Sequence, residues 1–80
     1  MAVLLLFAAA REAAGTGRDD VPGSTVAEVL DHARARYGRA FNEVLAKSRV
    51  WVNGDEASEE QAVAATDEVA VLPPVSGGSS

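Results

Sequence analysis

Few side chains in this sequence can do chemistry. The 80 residues contain no cysteine and one histidine, His32. A thiol nucleophile, a disulfide, a Cys/His metal site and a His-based triad therefore lack material. A main-chain group at the end of the chain is another candidate. The chain closes on Leu72-Pro73-Pro74-Val75-Ser76-Gly77-Gly78-Ser79-Ser80. Pro73 and Pro74 fix the backbone direction and forbid a helix. Gly77 and Gly78 carry no Cβ, so this stretch can enter a narrow channel in another protein. From Pro73 to Gly78 an extended chain reaches roughly 20 Å. Read by composition, the segment is a frayed end, because glycine and serine gain little by packing. Read by the order of its parts, with an apolar strand before the prolines and the glycines after, it is an arm that delivers a backbone carboxylate.

The rest of the chain must hold that arm. Eighty residues make one small domain, near the size at which a single core is marginal. With 48% apolar and 5% aromatic residues, the core must come from Val, Leu and Ala. The organisation expected is a domain over 1–74 and a tail over 75–80. A net charge of −5 disfavours nucleic-acid binding and mildly favours a positively charged protein partner. Val3 to Ala10 resembles a short signal core, but it lacks a basic flank and Arg11-Glu12 follow at once. At about eight residues it is too short to span a bilayer. No membrane association and a cytoplasmic location are expected.

Residues 2–7 form an unbroken apolar run, which suits a central strand covered on both faces. Ala8 to Ala14 are good helix formers, and Gly15 suits a left-handed stop. Thr16 to Gly23 holds at most a short edge strand, since Pro22 cannot sit in a sheet interior. Thr25 and Glu28 have capping-box spacing. Val26, Val29, Leu30, Ala33 and Tyr37 then line one helical face, and Gly38 stops the helix. Phe41, Val44 and Leu45 suggest a further helical turn. Arg49–Val52 reads as a strand, Asn53-Gly54 as a tight hairpin turn, and Glu56-Ala57 as a short return strand. Ser58 to Ala65 reads as an acidic loop or helical turn with Ser58 as a possible N-cap. Glu68–Leu72 is the last strand, with Val69 and Val71 on one face and Ala70 and Leu72 on the other. Trp51, opposite in sense to Val50 and Val52, either anchors a binding surface or covers the open face of the sheet. His32 is expected on the surface. The fold class is α+β: a mixed sheet of four or five strands with one main helix on one face, and the first and last strands as candidates for its centre.

Three stretches then align with a known family: Phe7-Ala8-Ala9-Ala10-Arg11-Glu12, Val52-Asn53-Gly54 and Asp67-Glu68-Val69-Ala70-Val71-Leu72-Pro73-Pro74-Val75-Ser76-Gly77-Gly78. Together they resemble the small subunit of molybdopterin synthase, one of the ubiquitin-like β-grasp sulfur carriers. The resemblance implies a carrier that is not catalytic alone. An E1-like partner uses ATP to adenylate the terminal glycine carboxylate, and a sulfur donor converts the acyl-adenylate to a thiocarboxylate. The tail then enters the large subunit of molybdopterin synthase, in a heterotetramer, and gives its sulfur to cyclic pyranopterin monophosphate. Carried over, the reactive group is the carboxylate of Gly78, approached through Gly77. The partner surface maps to Phe7, Arg11 and Leu72, continued by Pro73, Pro74 and Val75. No cofactor and no metal is implied for this chain itself.

The match departs in two places. Thr66-Asp67 stands where the family commonly has Gly-Asp. Ser79-Ser80 follow Gly78, which as a peptide carbonyl cannot be adenylated. The preferred account is a pro-form from which a partner protease removes both serines. Serines introduced by cloning, and a paralogue without the carrier role, are the alternatives. The same carboxylate chemistry would serve a carrier for another pathway (cysteine, thiamin, tRNA thiolation or a secondary metabolite). A modifier joined through Gly78 to lysines of other proteins, or a β-grasp interaction module without terminal chemistry, would belong to different classes.

Overall fold

In a computed structural model that describes residues 1–74, eight elements follow one another: β1 (Ala2–Leu6), α1 (Ala8–Ala14), β2 (Arg18–Val21), α2 (Val26–Tyr37), α3 (Arg39–Leu45), β3 (Arg49–Val52), β4 (Asp55–Glu56) and β5 (Glu68–Leu72). The strands form one sheet in the order β2-β1-β5-β3-β4. The first and last strands lie parallel at its centre, with Leu4 opposite Val69 and Leu6 opposite Val71. Their outer neighbours β2 and β3 run antiparallel. Ala10 of α1, Val29 and Leu30 of α2, and Phe41 of α3 share one core with Leu4, Leu6, Val69 and Val71.

Burial corrects one expectation from the apolar run at the start. Ala2, Leu4 and Leu6 are buried, while Val3 and Leu5 are half-buried. β1 is central, but helices cover only one face. The apolar residues on the other face remain accessible because the helix-bearing connections all return on the same side.

Local signals act where the sequence placed them. Gly15 caps α1 at φ 80° and its N–H donates to Arg11 O. The β3–β4 turn takes Asn53 at φ 51° and Gly54 at φ 89°, the left-handed pair that a two-residue hairpin loop requires. β2 lies at the sheet edge with Pro22 just beyond it. Gly23 is demanded on two counts. Its φ is +148°, and a Cβ there would stand 2.8 Å from Val29 N and 2.9 Å from Val29 Cγ2. Gly23→Ala should therefore destabilise the domain by about 2–4 kcal/mol through backbone strain plus overpacking, read as a lowered urea midpoint at unchanged slope.

The start of α2 differs from the expected box. Glu28 N donates to Thr25 Oγ1 at 3.2 Å, but the Glu28 carboxylate accepts from Ser24 N (2.8 Å) and Ser24 Oγ (2.9 Å), one residue upstream of the cap. Those bonds hold the Glu28 carboxyl below its ordinary range. The two remaining free amides find partners far along the chain. Val26 N donates to Gln61 O and Ala27 N to Glu59 O, both at 2.9 Å. The acidic segment after β4 is thus a loop, without a helix for Ser58 to cap. Its carbonyls complete the N-terminus of α2.

Tyr37 closes the other end. Its ring meets Phe41 edge-on at 5.1 Å between centroids, and its hydroxyl donates to Asp19 on β2. Arg36 Nη1 donates to the same carboxylate at 2.7 Å and to Asp20 O at 3.1 Å. Together they fasten the edge strand to the main helix. Burial, then the Asp19 carboxylate, push the Tyr37 hydroxyl up to about 12. Donation from Tyr37, then Arg36, holds Asp19 below its ordinary 3.8. By linkage, the Tyr37 contribution is fully present below pH 10 and is lost as pH rises toward about 12. The Asp19 contribution is present above its ordinary value and is lost as pH falls through the depressed one. An absorbance titration of this sole tyrosine should find its midpoint near 12, and Asp19→Asn should bring it part-way back toward 10.

Candidate functional site

The parallel pairing of β1 with β5 decides where the site is. Leu6 pairs with Val71, so the next residues, Phe7 and Leu72, leave the two central strands at the same end of the sheet. β1 turns into α1 there. Phe7 holds the extended N-cap position (φ −125°, ψ 154°), and its carbonyl accepts from Ala10 N at 3.0 Å and Arg11 N at 3.3 Å. Ala8, the first helical residue, has φ 51°, a left-handed value that costs a non-glycine residue roughly 1 kcal/mol or more. That strained turn leaves the Phe7 side chain 44% exposed, although it is among the largest apolar groups in the chain.

Arg11 follows one turn later and is exposed. Its guanidinium stem lies over Gly17, where a Cβ would stand 3.3 Å from Arg11 Nε. Leu72 is half-buried on the helix-free face, Pro73 is half-buried and Pro74 is exposed. Phe7, just after β1, and Leu72, Pro73 and Pro74, at the end of β5, thus lie at one end of the sheet, while the Arg11 side chain on α1 is directed toward Gly17. Val75, Gly77, Gly78 and the two serines lie outside the described residues.

Both prolines also line an open groove of about 620 Å³ between α1 and α3. Small residues, Ala9 and Ala13 on α1 and Ala40 on α3, make the space, and Glu12, Glu43 and Lys47 stand around it. None of its lining residues carries a hydroxyl or an imidazole. Among the described residues no group of three His, Cys, Asp or Glu side chains could hold a metal, and no helix is long and apolar enough to cross a membrane. His32 is exposed on α2, as expected. The site is a surface that presents an exit, not a pocket that encloses a reactant.

The opposite end of β5 explains why Asn53 and Asp67 occur together. Asn53 Nδ2 donates to Asp67 Oδ1 and Glu68 N donates to Asn53 Oδ1, both at 3.0 Å. Asn53 N donates to Glu68 O, and Val3 N to Asp67 O, again at 3.0 Å. Asp67 Oδ2 accepts from Ala64 N at 2.8 Å. These bonds, Asn53's first, hold the Asp67 carboxyl low. One clasp therefore fixes the register of β5 against both β3 and β1, and so fixes which residue emerges at the far end. Its signal in the sequence was a hairpin asparagine; the partner fourteen residues on was not readable from spacing.

A mixed sheet with a parallel central pair and all helices on one face, ending in a proline-stiffened exit beside Phe7, defines a ubiquitin-like β-grasp domain. The solution structure of the small archaeal modifier protein 1 from Methanosarcina acetivorans is similar to it at TM-score 0.85 and 29% identity, over 96% of this chain and 95% of that one. The crystal structure of SAMP1 from Haloferax volcanii is similar at TM-score 0.79 and 37% identity, over 95% and 97%. The chain belongs to the ThiS family, whose profile matches residues 4–78. Among curated relatives, the molybdopterin synthase sulfur carrier subunit of Drosophila simulans is 38% identical over 81 aligned residues, covering 94% of this chain and 88% of the relative.

Proposed function

We propose that this protein is a sulfur carrier of molybdenum cofactor biosynthesis, acting as the small subunit of molybdopterin synthase. The observation that carries the reading is the exit of the tail. Pro73 and Pro74 continue a central, register-locked strand at the end where Phe7 and Arg11 stand exposed. A rigid base of this kind lets a partner recognise the domain while the glycines beyond reach its active site. The working group is the carboxylate of Gly78, freed by removal of Ser79 and Ser80. An E1-like partner adenylates it with ATP, one carboxylate oxygen attacking the α-phosphorus as pyrophosphate leaves. A sulfur nucleophile then displaces AMP from the acyl carbon. The resulting thiocarboxylate is passed, in the large subunit, to cyclic pyranopterin monophosphate. Phe7, Arg11, Leu72 and the Pro73-Pro74-Val75 segment make the partner contacts. The catalytic side chains belong to the partners.

A second reading, a protein modifier joined to lysines through Gly78, is favoured by the likeness to two small archaeal modifier proteins. Intact-mass analysis after expression with the host's adenylating enzyme and a sulfur source separates the two. Loss of both serines with one oxygen exchanged for sulfur is the result expected. Adducts of this chain on other proteins would assign it to the modifiers, and a terminus still at Ser80 in the native host would sink both.

A further inference from the structure

Charge on the helix-free face is sorted along the strands. At the exit, register pairs Leu72 with Arg49. Glu68 opens the same strand, roughly 13 Å back from Leu72. Asp20 stands with Glu68 at that far end, since Val3 pairs with both. Nearer the exit are Arg18, opposite Leu5, and Arg11, whose stem lies over Gly17. Glu56 is the acid beside them on this face, and its Oε2 meets Arg49 Nη1 at 2.9 Å. Glu12 and Glu43 line the groove between α1 and α3. The Debye length is about 10 Å at 0.1 M salt, so a charge arriving at Leu72 senses Arg49 and is largely screened from Glu68 and Asp20. A net charge of −5 therefore misdescribes this end of the sheet, which suits an acidic partner.

Arg49 and Trp51 project from one face of β3, because Val50 and Val52 turn to the core. Trp51 is half-buried and belongs to no part of that core. Its neighbour on β5 is Ala70, which is too small to cover an indole. We propose that the partner contact at Phe7 and Leu72 extends onto β3, with Arg49 as its charged anchor and Trp51 as its apolar one, and that the adenylating partner meets Arg49 with a carboxylate. This rests on the carrier reading, in which that enzyme takes up the domain before any sulfur is present. Arg and Trp are among the side chains that carry most binding energy at interfaces. Glu56 engages one nitrogen of the Arg49 fork, and with side chains 72% and 54% exposed the pair is worth little by itself. It holds the guanidinium in place while the remaining N–H groups receive a second carboxylate. The contact on β3 is smaller than a standard interface. Phe7, the prolines and the arm beyond them supply the rest.

The test is pyrophosphate release by the host's adenylating enzyme, measured against concentration of a chain whose terminus intact mass has placed at Gly78. Arg49→Glu and Trp51→Ala should each raise KM about tenfold with kcat within about twofold, the signature of lost binding rather than lost chemistry. Glu68→Lys, at the far end of the same face, should leave KM within about twofold. Raising salt from about 50 mM to 0.5 M should raise the KM of the unmodified chain severalfold and that of Arg49→Glu much less. Unchanged urea midpoints would exclude unfolding as the cause. Pyrophosphate release that is insensitive to Arg49→Glu overturns this anchor and leaves the carrier reading standing. An equal rise in KM for Glu68→Lys and Arg49→Glu overturns it too, by showing that the two ends of the face are not distinguished. No release from the unmodified chain at any concentration removes the carrier reading and the anchor together.

Discussion

Replacing Phe41 with alanine is expected to cost about 3–5 kcal/mol of unfolding free energy. The side chain is completely buried and is the largest of the fully buried ones. It lies on α3, where it meets Tyr37 edge-on and joins the core that the other helices and the sheet share. No neighbour can collapse into the gap easily, because the surrounding core consists of Val, Leu and Ala on elements pinned from both sides. Native domains are stable by roughly 5–15 kcal/mol, and one of this size belongs at the low end. The variant should therefore lose half or more of its stability, with a urea midpoint to match, whereas Phe41→Leu should lose about 1 kcal/mol. A Phe41→Ala variant within about 1 kcal/mol of the parent would show that the core is not organised around this ring.

Gly78→Ala should have the opposite signature. Gly78 lies outside the described residues, and the unfolding free energy is expected to stay within about 0.5 kcal/mol. If the Gly78 carboxylate is the working group, an added methyl beside the reacting carbon displaces it in a channel fitted to bare backbone. A misplacement near 1 Å is worth on the order of 100-fold in rate. The measurement is thiocarboxylate formation by intact mass, followed by sulfur transfer to the large subunit's substrate. Full activity in this variant would remove Gly78 from the chemistry.

The elements with short-range signals were legible. Gly15, Gly38 and Asn53-Gly54 each mark a turn because the backbone there needs a conformation few residues tolerate. α2 is readable from the spacing of Val26, Val29, Leu30 and Ala33, all of which are buried. Partners distant in sequence were not. The carbonyls of Glu59 and Gln61 that complete α2, and the Asp19 carboxylate that receives Tyr37 and Arg36, are set by tertiary approach and leave no periodic trace. The strained Ala8 was invisible for the reverse reason, since alanine advertises a helix and not a left-handed turn. A shared partner surface for Phe7, Arg11 and Leu72 is an expectation from the family resemblance; the structure adds the parallel pairing of two strands at opposite ends of the chain, which puts Phe7 and Leu72 at one end of the sheet. The helix-free face with Trp51 at its middle was half read: alternation showed that it existed, and only the strand order showed which residues share a row.

The pairing of β1 with β5 also governs when the tail can be used. Leu4 and Val69 sit opposite each other although nearly the whole chain separates them. Bringing such distant segments together costs about 4 kcal/mol of loop-closure entropy before any contact offsets it. Sheets dominated by pairings of this kind form on the millisecond-to-second scale. β5 also follows the seven other elements in sequence, so the central pair cannot form until all of them have been made. The exit beside Phe7 therefore exists only once β5 has paired with β1. If a partner reads Phe7, Leu72 and the prolines together, as proposed, it can engage only a domain in which this pair has formed.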